Sequence, residues 1–164
     1  MKPRVGVSAC LLGRAVRYDG RAKPHPWIRQ ELARHAHLEP FCPEVEAGLP
    51  VPRPPVELVV QGGELRLLGV RERHLDVTEP LDAWLAEVEP RLAGLRAVIL
   101  KARSPSCGLG SVPVHDEEGR VLGLASGRFA AHLAERAPGL LLMEAEALDD
   151  ERARARLLAH LRGD

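Results

Sequence analysis

The sequence predicts an α/β domain in which a parallel sheet is flanked by helices. Three observations carry that expectation. Strand-like runs alternate with helix-spaced segments, the order that builds parallel sheets through helical crossovers. Ala97-Val98-Ile99-Leu100 is a continuous apolar run, as in a sheet covered on both faces. Cys10, Cys42 and Cys107 each lie in a loop that follows a strand-like run, and parallel sheets bind ligands outside the carboxyl ends of their strands.

Taken in order, Arg4–Ser8 reads as the first strand, its apolar run ending at Ala9-Cys10. Leu11–Pro26 carries Gly13, Gly20, Pro24 and Pro26 and is expected to be a long loop, with Tyr18-Asp19-Gly20 a turn inside it. Trp27–Ala36 places Trp27, Ile28, Leu32 and Ala36 near helical spacing. Leu38–Phe41 is a second short strand leading into Cys42. Between Gly48 and Pro55 the proline density rules out a regular element, because each proline removes a backbone donor and restricts the residue before it; a rigid wall is expected there. Val56–Val60 and Glu64–Val70, either side of Gly62-Gly63, form a strand pair. Thr78 is expected to cap, and Pro80 to open, a helix running to about Leu92 that buries Leu81, Trp84, Leu85 and Val88. Ala97–Leu100 then feeds the loop Lys101–Gly110. A helix after Ser126-Gly127 to about Arg136, a strand at Leu140–Met143 and an amphipathic helix over Leu148–Leu161 complete the chain. No repeat, low-complexity tract or linker interrupts it, so residues 1–164 are expected to form one domain.

Composition narrows the class. Apolar residues make up 45% and charged residues 28%, ordinary for a globular protein. Net charge is zero from 23 basic and 23 acidic residues, which removes the global electrostatic case for a nucleic-acid polymer. No stretch approaches the length of a membrane span. The opening Met-Lys-Pro-Arg-Val-Gly-Val lacks a signal peptide's apolar run, so a reducing cytoplasm is expected. There cysteines more often bind metal or catalyse than form disulfides. The chain contains no Asn and only Gln30 and Gln61, a depletion of thermolabile amides that fits a thermophilic source. An Arg-, Ala- and Leu-rich composition also follows from a GC-rich genome. A monomer or small homo-oligomer is expected.

The three cysteines are the most informative residues. An odd number in distant loops, with no CxxC pair, cannot close a disulfide set. A free cysteine without a task usually sits in the core as a small hydrophobe. Here the flanks are polar and turn-forming, so the three are expected to converge on a metal centre with one open position. The seven histidines have no ligand spacing; His35 and His37 are expected on the surface.

Four blocks then carry a resemblance. Cys10-Leu-Leu-Gly-Arg-Ala-Val-Arg-Tyr-Asp-Gly20, Cys42-Pro-Glu-Val-Glu followed by Arg53 and Glu57, Asp76-Val-Thr78, and Arg103-Ser-Pro-Ser-Cys-Gly108 resemble the motifs of a bacterial family that includes thiouracil desulfurases. The resemblance spans about Val5 to Leu142. It implies a compact Rossmann-like domain holding a [4Fe-4S] cluster with one open iron, and non-redox removal of sulfur from a thiolated pyrimidine as hydrosulfide. It implies Cys10, Cys42 and Cys107 as cluster ligands, and Glu44 and Ser104 as catalytic residues. The segment after Gly108 departs from the family pattern, with Val114-His-Asp-Glu-Glu-Gly119 and Leu124-Ala-Ser126-Gly127, and is a candidate for shaping the substrate pocket.

The residues support this chemistry on their own terms. Iron–sulfur clusters are usually held by four thiolates, so three leave one iron for a soft ligand. Glu44, two residues from Cys42, is placed to take a proton from water. Ser104 is a candidate hydrogen-bond donor or proton relay, and Arg17, Arg53 and Arg103 are candidates for offsetting cluster charge or binding an anionic substrate. Two other readings use the same residues: a metal-binding or redox-sensing module around a structural Fe–S or zinc site, and an Fe–S enzyme acting on another sulfur-containing substrate.

Overall fold

The computed structural model describes residues 1–163 and contains two four-stranded sheets. The first is fully parallel, in the order β2-β1-β5-β8, from β1 (Arg4–Ser8), β2 (His37–Phe41), β5 (Leu95–Leu100) and β8 (Leu141–Glu144). This is the predicted parallel sheet. The second is mixed, in the order β4-β3-β6-β7, from β3 (Val56–Gln61), β4 (Glu64–Gly69), β6 (Val112–His115) and β7 (Val121–Ala125). Its β3–β4 hairpin was expected; β6, β7 and the parallel β3–β6 pairing were not.

Both faces of the parallel sheet are covered, as its apolar runs require. Val5, Val7, Ala97 and Ile99 point to one face. They meet Ile28 and Leu32 of a π-helical turn (Ile28–Leu32) that continues into α1 (Ala33–His35), and Leu157 and Leu161 of α5 (Glu151–Arg162). Phe41, Val98 and Leu100 point to the other face. There they meet Trp84, Leu85 and Val88 of α3 (Thr78–Leu92) and Phe129 and Leu133 of α4 (Arg128–Arg136). Each such large apolar side chain contributes about 1.5–3 kcal/mol when fully buried. Gly6 lets the layers close: a Cβ there would stand 3.0 Å from the Phe41 ring and 3.2 Å from Val98 Cγ2.

The helix α3 joins the two sheets, since Leu81 in its first turns packs with Leu58, Leu67, Val77 and Val112 of the second core. Thr78 does not cap it in the expected way. Its hydroxyl oxygen accepts the Leu67 N–H of β4 at 2.8 Å, while Asp76 accepts the Thr78 N–H at 3.0 Å. The Asp76-Val-Thr78 motif thus stitches α3 to the second sheet. The terminal helix also starts later than expected, because Asp150 caps it by accepting the Arg152 N–H, and Ala145–Asp149 forms a 3-10 turn. His35 is exposed at the end of α1 and His37 opens β2 at the surface.

Among the described residues no helix is long and apolar enough to cross a membrane. The chain passes from β1 outward to β2 and then returns to the other side of β1 at β5. This reversal of strand order opens a crevice at the carboxyl ends of β1 and β5.

Candidate active site: three cysteine loops around one cavity

That crevice is a cavity of about 420 Å³, lined by all three cysteines together with Glu44 and Ser104. Each cysteine arrives on its own loop, and different local chemistry fixes each loop.

Cys10 sits in a 3-10 turn (Ala9–Leu12) that extends β1. Its carbonyl accepts the N–H groups of Gly13 and Lys23, so the long loop folds back on the turn. Gly13 closes the turn in the left-handed region at φ 93°. The predicted turn at Tyr18-Asp19-Gly20 is present, with Gly20 N–H donating to Arg17 O.

Cys42 stands at the N-cap of the short helix α2 (Pro43–Glu46), with Pro43 at its first position. Glu46 reaches back to accept the Cys42 N–H at 2.9 Å, which satisfies that donor at the helix start. The same carboxylate accepts Trp84 Nε1 at 3.2 Å and pairs with Arg91, which lies 4.4 Å over the Phe41 ring. The second loop is therefore pinned to α3.

Cys107 lies in the loop after β5, which is the most constrained of the three. Ser104 Oγ accepts the N–H groups of Ser106 and Cys107 at 3.2 and 3.1 Å. The carbonyls of Pro105 and Ser106 accept the first N–H groups of α4, donors that a helix start leaves unpaired. Gly127 permits that approach, because a Cβ there would lie 2.5 Å from the Ser106 carbonyl carbon. On the other side, Glu144 at the end of β8 accepts the Leu109 N–H at 3.0 Å and the Ser111 hydroxyl at 2.5 Å. Arg103 takes a left-handed φ of 64°, costing of order 1–3 kcal/mol for a residue with a Cβ. Its N–H bond to Ser111 Oγ holds it there.

The polar residues separate by environment. Glu44 and Arg53 form a buried ion pair at 2.9 Å, with side chains 11% and 6% exposed. The remaining Arg53 nitrogens donate to Val16 O at 3.0 Å and Pro50 O at 3.2 Å. Arg53 thus ties the first loop, the second loop and the proline-rich wall together, and all three of its nitrogens already face protein acceptors. Arg103 sits at the rim and pairs with Glu146 at 2.6 Å. Arg17, Lys23 and Lys101 also line the cavity. Burial, and then Arg103, push the Lys101 ammonium below its usual range.

Sequence reasoning missed three groups here. Ser8, buried at the end of β1, accepts the Lys101 N–H at 2.9 Å, clamping β1 to the end of β5 where the crevice opens, and it opposes the upward shift of the Cys107 thiol. Ser106 and Glu144 are the others. The buried turn hydroxyl of Ser106 bonds Glu44, and Glu144 lies outside every motif; only assembled neighbours reveal them.

Burial raises all three thiols above the ordinary cysteine range. Lys101 and Arg17 oppose the shift at Cys10, and at Cys42 a Val45 backbone bond and Arg53 oppose it. Cys107 is pushed up to about 12. An unfolded thiol ionises near about pH 8.5. Between those values the unfolded chain binds fewer protons than the folded one, so stability falls as pH rises, and the contribution is complete only below about pH 8.5. The denaturant midpoint of the metal-free protein is expected to drop as pH rises from about 8.5 toward about 12. Cys107→Ser should flatten that slope; an unchanged slope in the variant would exclude this origin.

The donor set fits an iron–sulfur group. Among the described residues no three His, Cys, Asp or Glu side chains are placed to hold one metal ion. Cys10, Cys42 and Cys107 line the cavity with Arg17 and Lys101, soft donors and cations of the kind an iron–sulfur group takes.

Comparison with known proteins follows the same residues. The family described as 2-thiouracil desulfurase matches residues 5–145. The uncharacterized protein YbbK of Bacillus subtilis (strain 168) is 36% identical over 112 residues, 65% of this chain and 74% of that protein. Among solved structures, the [4Fe-4S]-dependent thiouracil desulfidase TudS is similar with a TM-score of 0.69 and 35% identity. That match covers 95% of this chain and 99% of the TudS chain.

Proposed function

This chain belongs to the 2-thiouracil desulfurase family, and from that premise we propose that it hydrolyses the carbon–sulfur bond of a thiolated pyrimidine at a [4Fe-4S] cluster held by Cys10, Cys42 and Cys107. The observation that carries the proposal is the meeting of those thiols and the Glu44 carboxylate in one cavity at the β1/β5 crevice. Three cysteines leave one iron of such a cluster without a cysteine ligand. When bound, the cluster supplies a sulfur-seeking Lewis acid that polarises C=S.

The chain's own residues supply the rest. Water adds to the ring carbon, the carbon–sulfur bond breaks, and sulfur leaves as hydrosulfide; a carbonyl oxygen replaces it with no net electron transfer. Glu44 takes the proton from that water, a general-base contribution of about 10²–10⁴-fold. Arg53 pairs with that carboxylate at 2.9 Å and donates one N–H from each terminal nitrogen to Val16 O and Pro50 O, which leaves one N–H on each. The Ser104 oxygen is occupied by two backbone donors, which leaves its proton to bond the ring or relay to the departing group. Arg17, Lys23 and Lys101 on the wall, with Arg103 at the rim, favour a substrate carrying negative charge.

Anaerobic iron–sulfur reconstitution, followed by sulfide release from 2-thiouracil and 4-thiouracil, tests the proposal. About four irons per chain with sulfide released from either base is the expected result. A full iron complement with no sulfide from any thiolated pyrimidine would turn the reading toward another sulfur substrate or a redox module. No iron uptake would end it.

A further inference from the structure

We infer that Ser106 is the residue that positions the Glu44 carboxylate, so that the base is aimed from the loop carrying Cys107. The inference rests on the reading of Glu44 as the base. Ser106 is 1% exposed, and its hydroxyl donates to Glu44 Oε2 at 2.8 Å. Arg53 Nε donates to the other oxygen, Oε1, at 2.9 Å. A glutamate side chain turns freely about its last torsion. Donors on both oxygens, from two different segments, stop that turning. Each oxygen keeps a second lone pair, so the fixed carboxylate still has an acceptor site for water.

Ser106 itself has little freedom. Its N–H donates to Ser104 Oγ at 3.2 Å and its carbonyl accepts the Phe129 N–H at 2.8 Å. Locked at both backbone groups, the hydroxyl is presented to Glu44 across 62 residues of sequence. A shift of the Cys107 loop therefore moves the donor that orients the base. Charge-assisted bonds of this kind are stronger than neutral ones, and misplacing a catalytic group by about 1 Å can cost about 10²-fold in rate.

The test compares wild type, Ser106→Ala and Ser106→Thr as reconstituted holoproteins. Ser106→Ala is expected to lower kcat for 4-thiouracil by about 10–100-fold, with KM and iron per chain unchanged. Ser106→Thr, which keeps the hydroxyl, should recover most of it. A second readout needs no activity. In the metal-free chain, the fall in denaturant midpoint caused by Ser106→Ala should disappear in a Glu44→Ala background, because the two side chains are coupled. An alanine variant with wild-type kcat, one that loses iron together with activity, or an additive cycle would each overturn the assignment. If wild type releases no sulfide, the desulfurase reading has failed, and the cycle alone still decides whether Ser106 holds Glu44.

Discussion

Glu44→Gln is expected to lower sulfide release by about 10²–10⁴-fold while iron per chain stays at the wild-type level. The amide keeps the shape of the carboxylate but has no basic oxygen to take the proton from water. It also offers one acceptor oxygen where the structure has two, facing Arg53 and Ser106. Arg53 then loses its counter-charge in a buried setting, and breaking a buried ion pair from one side typically costs about 3–5 kcal/mol. The denaturant midpoint is therefore expected to fall with the rate. Glu44→Asp separates the two effects: it keeps the charge beside Arg53 but withdraws the carboxylate. It should remain more stable than the Gln variant, bind iron, and still turn over slowly. Full turnover in Glu44→Gln would refute the base. Truncation to alanine is the poorer probe of catalysis, since it strands Arg53 and releases the tie between the second and third cysteine loops.

Replacing any one of the three cysteines by alanine should abolish stable cluster binding and with it all sulfide release. Cys107→Ala is the sharpest case. Its thiol is buried beside Ser8, with a pKa pushed up to about 12, so a metal must displace a proton that burial holds tightly. Only metal charge and the preset loop make that exchange favourable. The loop has its own supports at Ser104, Glu144 and the start of α4, so the alanine variant should still fold. Iron per chain, read beside the denaturant midpoint of the metal-free protein, distinguishes a lost ligand from a lost fold. A Cys107→Ala protein that keeps its full iron content and absorbance would remove Cys107 from the ligand set.

The mixed sheet was the least legible part of the fold. Its strand β6 is four residues long and contains Pro113, and Val121, Leu122 and Leu124 of β7 are all exposed. β6 turns Val112 and Val114 to the second core but is too short for that alternation to register, and the apolar residues of β7 do not alternate with burial. Thr78 misled for a related reason. Its hydroxyl is a sound cap by local rules, but a β4 N–H from a distant part of the chain takes it instead. Nothing in the proline-rich neighbourhood of Arg53 predicts that its nitrogens will also bond Glu44, Val16 and Pro50.

By itself the sequence determined the parallel sheet, the three cysteine loops at its carboxyl edge and the family of the chain. Those features rest on short-range signals: apolar runs, turn residues and contiguous motifs. Only the tertiary structure decided which polar groups steady the site. Ser8, Ser106 and Glu144 act through partners 93, 62 and 35 residues away. A hydroxyl or carboxylate in a single sequence carries no mark of a partner that chain folding alone brings within 3 Å.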